Sequence, residues 1–342
     1  MSNFFVALQS WIYFVQDLGC ISLRHNLFFG YSCYNDRKRK SCTFRGNIMA
    51  TKEQIQAIMK LREDWQREDD QRDEKLPHVF EGIERVDDLQ YGDDQQWNVL
   101  DVYRPQKRNG KLPVIILIHG GNWCYGTKDT YQYYGMGLAQ HGFAVVNASY
   151  RLAPQVVFPA ELDDINRFVT WTTIHANEYG FDLDNAFLCG DSAGGQMALQ
   201  YLTIWANPNY RKLFGYEQPQ IKFRAGVLNC APYFMLTQKL WTSTKAYYTD
   251  DIMQHQQAMI GTENYFSDQI PPLFIATANH DYLRDDSMKF SGFLMAKNHP
   301  HIAKVYGDED HQLKHDFMIN QTSALAKQAT LDEIQFMKKY IK

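Results

Sequence analysis

The stretch 190-GDSAGG-195 sets a serine between small spacers, with glycine at positions 190 and 194. It follows the apolar run 186-AFLC-189 and precedes 196-QMALQYL-202, so its GxSxG pattern falls where a β-rich segment gives way to a helical one. A hydroxyl presented on so tight a turn needs glycine neighbours, because side chains there would collide with the backbone. The segment therefore reads as strand, strained turn and helix, with Ser192 at the helix N-terminus, where the dipole favours negative charge.

Outward from this turn, beyond Arg85, short β-rich runs alternate with longer helical stretches. The runs are 97-WNVLDVY-103, 113-PVIILIH-119, 143-FAVVNAS-149, 186-AFLC-189, 224-RAGVLN-229, 273-LFIATA-278 and 303-AKVY-306. Helices are expected near Thr130 to His141, Glu161 to Tyr179, Ala193 to Trp205, Asp285 to Lys297 and Thr330 to Lys342. Such alternation implies a mainly parallel sheet covered by helices, with the run at 97–103 pairing antiparallel at an edge. The connection 233-YFMLTQKLWTSTKAYYTDDIMQHQQAMI-260 is longer than an ordinary loop and rich in aromatics and methionine, which marks an insertion over about 233–265 ahead of the penultimate strand.

The N-terminal quarter has its own pattern. Residues 1–48 are rich in Phe and Tyr, hold three of the six cysteines and end in a basic run, so they read as an atypical extension, disordered or ahead of the true start. The apolar stretch Phe4 to Val15 is too short to span a bilayer and has no lysine or arginine before it. From Met49 the text 49-MATKEQIQAIMKLREDW-65 places Ile55, Ile58, Met59 and Trp65 on one helical face, so residues 49–84 are expected to form a cap helix region and 85–342 the main domain.

A formal net charge of −4 with interspersed signs excludes a basic nucleic-acid face and a basic membrane-binding helix. The six cysteines, Cys20, Cys33, Cys42, Cys124, Cys189 and Cys230, form no CxxC pair, which points to a reducing compartment, the cytoplasm.

A serine attacks poorly alone and requires donors for the oxyanion, a base and an orienting acid. The segment 119-HGGNW-123 directly follows an apolar strand, and the amides of Gly120, Gly121 and Ala193 are the expected oxyanion donors. With HGG, 149-SYRLAP-154, 158-FPAELDD-164 and GDSAGG in this order, the chain resembles the hormone-sensitive lipase family of α/β-hydrolases, which includes bacterial carboxylesterases. The resemblance covers roughly Asp101 to the C-terminus. It implies an α/β-hydrolase fold: a mainly parallel eight-stranded sheet flanked by helices, with a helical cap from the N-terminal region and the insertion. Where the family commonly has a third glycine, this chain has Asn122, which bears on acyl or alcohol preference more than on catalysis.

Family order places the acid after the strand that follows the insertion, and the base near the C-terminus. Asp281, in the D-x-L context Asp281, Tyr282, Leu283, is the expected acid, whereas Asp285 and Asp286 read as charges in the first turn of a helix. His315, followed by Asp316 and Phe317, matches the H-x-F context and is the expected base, with His311 as the alternative. The segment 311-HQLKH-315 also has the spacing with which a helix can grip zinc, but Gln312 stands where a metalloprotease helix needs glutamate, so no metal and no cofactor are expected.

The implied activity is that of a serine carboxylesterase acting on short- to medium-chain acyl esters through an acyl-enzyme, with a small-molecule ester as partner, no nucleic acid, no membrane, and a homodimer as assembly. Asn122, Trp123, Tyr125 and Trp241 are expected to line the substrate pocket. Two other classes stay open on the residues alone: an arylformamidase-like amide hydrolase, and a non-catalytic ligand-binding member of the fold.

Overall fold

The structure, a computed structural model, describes residues 50–342, and the readings made for residues 1–48 lie outside the described residues. Eight strands are present among the described residues: β1 (Ile83–Gln90), β2 (Val99–Pro105), β3 (Leu112–Ile118), β4 (Ala144–Ala148), β5 (Phe181–Asp191), β6 (Phe223–Asn229), β7 (Leu273–Ala278) and β8 (His301–Tyr306). They join in one sheet in the order β1-β2-β4-β3-β5-β6-β7-β8. Among the described residues, the helices of eight or more residues are α1 (Lys52–Asp73), α2 (Gln132–Ala139), α3 (Ala160–Ile174), α4 (Ser192–Ala206), α5 (Arg284–Ala296) and α6 (Ala324–Lys338). This is the α/β-hydrolase fold that the motifs implied.

Strand β3, LPVIILI, shows why the sheet is buried on both faces. Val114, Ile116 and Ile118 belong to the core layer on one face, and Ile115 and Leu117 to the layer on the other. Period-two alternation of side chains makes an all-apolar run a central strand with helices on both sides. β3 pairs parallel with β4 and with β5, and β5, β6, β7 and β8 continue parallel, which brings the C-terminal ends of the strands to one rim.

The edge departs from expectation. β2 is antiparallel to β4 as expected, but it is not the edge, because β1 pairs antiparallel on its other side. β1 reads IERVDDLQ and was invisible to a hydrophobic-pattern search because only one of its residues, Ile83, is buried. Charged side chains and the irregularity between Val86 and Leu89 suit an edge that must not pair with another chain.

Helix α1 begins at Thr51, whose side chain accepts from the Gln54 N–H while Gln54 returns a bond to the Thr51 N–H, a reciprocal capping box. Its expected apolar face is smaller than the spacing suggested: Ile58 is its one buried residue, and Met59 is 40% exposed. The helix is fastened instead by polar groups. Arg62 donates to the carbonyls of Cys124 (2.7 Å) and Ala153 (2.9 Å), Arg72 donates to that of Thr130 (3.0 Å), and Asp69 accepts from the Tyr125 hydroxyl (2.6 Å).

Two helix boundaries also shift. The helix expected from Glu161 to Tyr179 is broken at His175, where α3 gives way to a separate turn, Ala176–Tyr179, closed by left-handed Gly180. The Thr-rich end of α3 fits this break, since β-branched residues weaken helices. The last helix starts six residues earlier than expected and ends at Lys338, because Ser323 caps it by accepting from the Ala326 N–H. The segment 233–265 forms short 3-10 turns and two one-turn helices, with Tyr233, Tyr247 and Tyr248 fully buried. No helix among the described residues is long and apolar enough to cross a membrane.

Because β3 is packed from both sides with Ile116 wholly buried, Ile116→Ala is expected to lower unfolding free energy by about 2–5 kcal/mol, read by urea denaturation. A loss no larger than that of an exposed substitution such as Ile174→Ala would contradict the two-layer core.

Candidate active site

Ser192 sits at the junction of β5 and α4 with φ +50°, a left-handed conformation costly for a residue with a side chain. The turn survives because its neighbours lack Cβ atoms. A Cβ on Gly194 would strike the carbonyl oxygens of Ile118 and His119, and one on Gly190 would strike the Gly194 carbonyl. The nucleophile turn and the loop after β3 therefore meet backbone to backbone.

The loop after β3 is held from below. His119 is buried and stacked on Tyr150 (centroids 3.9 Å, 7° between planes), and its Nδ1 donates to the Gly120 carbonyl at 2.7 Å. Burial pushes its pKa down to about 4, so the ring is neutral at ordinary pH. The Tyr150 hydroxyl, from the SYRLAP segment, donates to the His119 carbonyl at 2.6 Å. Gly121 has φ +121°, and a Cβ there would run into the Tyr125 carbonyl. The Gly120 amide lies against the Tyr131 hydroxyl, which burial keeps neutral by pushing its pKa well up. Gly121 and Ala193 amides make no bond to other loop backbone among the described residues, Ala193 because it lies in the first turn of α4.

The structure brings three distant residues together. His315 Nε2 lies 2.8 Å from Ser192 Oγ, and His315 Nδ1 lies 2.7 Å from Asp281 Oδ1. Asp281 stands just beyond β7 and accepts further bonds from Leu283 N–H (2.9 Å, Oδ1) and Thr277 hydroxyl (2.8 Å, Oδ2). Burial opposes its ionisation, but the bond and charge of His315, with these two donors, outweigh burial and hold the carboxyl below its usual range. Asp281 and Ser192 are buried, and the His315 side chain keeps 17% exposure, so the group can be reached.

The other sequence candidates have separate places. His311 is exposed and pairs with Asp308 at 2.8 Å, and residues 311–315 are not helical, which removes the zinc-gripping geometry. Asp285 and Asp286 lie in the first turn of α5. Cys230 lies near Asp281 and His315, with donor atoms within 4.8 Å of one another, but burial pushes its thiol well up and both imidazole nitrogens are already bonded, a poor set for a metal.

The residues expected to line the pocket are mostly committed elsewhere. Asn122 donates to Ser243 Oγ (2.8 Å) and accepts from the Thr244 hydroxyl (2.6 Å), tying the loop to the insertion. Trp123 is buried edge-on to Tyr248 and face-to-face with Tyr247, and Tyr125 is bound to Asp69. Trp241 is exposed, and it lies against Tyr282, whose ring in turn lies 4.3 Å from that of His315. Tyr282, an exposed aromatic over the histidine, was treated in the sequence only as motif context. Asp191 and Asp316 were likewise passed over, although each adjoins a site residue in the chain.

An eight-stranded sheet with a strained serine at the end of β5 and an imidazole and carboxylate converging on it defines an α/β-hydrolase. The chain belongs to the BD-FAE family, whose family model matches residues 100–285, just over half of the sequence. It is 31% identical over 205 residues to carboxylesterase NlhH of Mycobacterium tuberculosis, covering 57% of this chain and 64% of NlhH, a little under two thirds of that relative. It is 25% identical to an acetyl esterase of Salmonella paratyphi A over 63% of this chain and 68% of that protein. Among solved structures, esterase B from Lactobacillus rhamnosis, determined with a tributyrin phosphonate, superposes with a TM-score of 0.75 at 25% identity, covering 85% of this chain and 96% of the other. These relatives bear out the resemblance to the hormone-sensitive lipase group.

Gly194→Ala sets two effects against each other. Alanine is favoured over glycine in a helix by about 1 kcal/mol, but here its Cβ meets two fixed carbonyl oxygens, so a net loss of about 2 kcal/mol or more is expected. Equilibrium unfolding of the two proteins measures it, and a more stable Gly194→Ala protein would show that the two backbones do not touch.

Proposed function

We propose that this chain is a serine carboxylesterase that hydrolyses esters of short- to medium-chain acyl groups through an acyl-enzyme. The observation that carries the reading is the continuous hydrogen-bond path from Ser192 Oγ through His315 to Asp281. With Asp281 ionised, Nδ1 carries the proton and Nε2 is left to accept from the serine hydroxyl. His315 takes that proton as Oγ attacks the ester carbonyl, then gives it to the departing alkoxide. The same imidazole draws a proton from water in the second half-reaction, which frees the acid. Asp281 holds the tautomer and balances the imidazolium charge.

Gly121 and Ala193 are assigned as the principal oxyanion donors, because among the described residues no backbone bond outside the helices and strands uses their amides and Ala193 directly follows the serine at the helix N-terminus. Gly120 stands beside them with its amide shared with Tyr131. The acyl preference is supported by the names of relatives, a carboxylesterase and an acetyl esterase. A small recess one helical turn along α4 from Ser192 has Gln196, Leu199, Tyr233 and Phe290 among its lining residues. Tyr282 and Trp241 form an aromatic rim against His315, suited to the alcohol side of the ester. Cytoplasmic residence is part of the proposal, supported by the free, buried thiols of Cys124, Cys189 and Cys230.

On p-nitrophenyl esters of graded acyl length, Ser192→Ala is expected to lower turnover by about 10⁴- to 10⁶-fold with its fold intact. Retention of near-normal turnover in that protein would rule out the assignment. Tyr282→Ala is expected to raise KM for aryl esters by about 3- to 10-fold while leaving kcat for ethyl esters within about twofold, as loss of one stacking contact worth about 1 kcal/mol predicts. Equal changes for both ester classes would remove Tyr282 from the rim.

A further inference from the structure

His315 Nε2 has two oxygen neighbours. Besides Ser192 Oγ, Asp316 Oδ2 lies 3.2 Å away, although Asp316 is the very next residue in the chain. A left-handed backbone at Asp316, φ +55°, folds its side chain back to the nitrogen that handles the proton. Behind it stands Asp191, the residue before the serine, which is 1% exposed and accepts from the Tyr131 hydroxyl at 2.7 Å through Oδ2.

Asp191 Oδ1 and Asp316 Oδ1 are both buried and have no hydrogen-bond partner. The two carboxyl groups act on one another, Asp316 in the sense of a donor and Asp191 of an acceptor. Two buried acceptors left without a donor are costly unless a proton is supplied to them. One shared proton satisfies both, leaves the pair with a single negative charge, and leaves Asp316 Oδ2 open toward Nε2.

We infer that Asp316 and Asp191 form a proton-sharing acid pair that stabilises His315 from the Nε2 side when it carries the serine's proton, opposite Asp281 on the Nδ1 side. The inference rests on the triad proposed above. In the resting state Nε2 is bare and accepts from Ser192. Once the proton has moved from Oγ to Nε2 and Oγ is bonded to the acyl carbon, the new N–H keeps an acceptor in Asp316 Oδ2 until the alkoxide takes the proton. The imidazolium is thereby held in place through the interval in which the serine oxygen is a poor acceptor. No proton is gained or lost by the pair in either half-reaction.

Burial first, and then the like charge of Asp191, hold Asp316 well above the usual carboxylate range. Burial likewise raises Asp191, opposed by the Tyr131 hydroxyl and by its bond from Asp316. The other titratable groups that face Asp316 are Asp69 from α1, Tyr131, Cys230, Asp281, Tyr282 and His315. Asp191 also faces Tyr150, Cys189 and Glu333. Burial pushes Tyr131, Tyr150, Cys189 and Cys230 upward, so they stay neutral near pH 7, and raises Glu333 to about 7, while Asp316 is the member of the pair that lies against His315.

The test is the acid limb of kcat/KM, which reports the histidine of the free enzyme, measured on the full chain with p-nitrophenyl acetate. Asp191→Asn/Asp316→Asn together remove the negative charge and keep the shapes, and the limb should move to lower pH by about one unit. Asp191→Asn alone also removes the charge, because burial keeps Asp316 protonated, and should move the limb to lower pH by a similar amount. Asp316→Asn keeps the charge on Asp191 and should move it least. A downward shift shared by Asp191→Asn and the double variant, but not by Asp316→Asn, is not the pattern of a loosened fold. If the double variant fails to fold, the comparison of Asp191→Asn with Asp316→Asn decides. A limb at the wild-type pH in every folded variant, or shifted alike in all, overturns the inference. Failure of the triad is told apart because it appears in Ser192→Ala as retained activity, whereas failure of the acid pair leaves Ser192→Ala inert.

Discussion

Two stretches of backbone approach each other more closely than any side chain would allow, and the site is built on that contact. Gly194, in the first turn of α4, faces the carbonyls of Ile118 and His119 at the end of β3, and Gly190 faces Gly194 across the turn. This closeness holds Ser192 in a left-handed conformation and sets the HGG loop beside it. Moving either backbone outward by the radius of a methyl group would separate the serine from the amides around it. The stacked pair His119 and Tyr150 supports the same contact from beneath, so the SYRLAP segment acts as a brace for the loop.

The sheet supplies the rest by topology. Because β3, β5, β6, β7 and β8 run parallel, the loops at their C-terminal ends share a rim, and residues 192, 281 and 315 meet there despite their separation in the chain. Helix α1 joins this rim from outside the sheet through Arg62, Asp69 and Arg72, each bound to the loops after β3 or β4. The insertion reaches it through Ser243 and Thr244, which grip Asn122. Asn122, directly after the two glycines of the loop, thus carries a side chain that fastens the loop to the insertion.

What could be read in the sequence follows from how local each signal is. The buried parallel strands were legible because a strand covered on both faces is apolar at every position, as in 112–118. β1 was not, because an edge strand bears charges and a bulge and has no such pattern. The serine and its glycines were legible because their constraint is carried within six residues. The pocket was not: Trp123, Tyr125 and Asn122 look like pocket residues by type, and only their partners on α1 and the insertion show them to be fasteners. Asp316 is a case where adjacency misled, since neighbours in sequence ordinarily point apart and only the φ of +55° turns it back toward Nε2.

The central claim is that Ser192 is activated by its contact with His315, and a fluorophosphonate probe tests it most directly. Peptide mapping by mass spectrometry of the labelled wild-type chain should find the phosphonyl group on Ser192, and His315→Ala should label at least about 10³-fold more slowly with an unchanged melting profile. Labelling at another residue, or equal rates in the two proteins, would contradict the account.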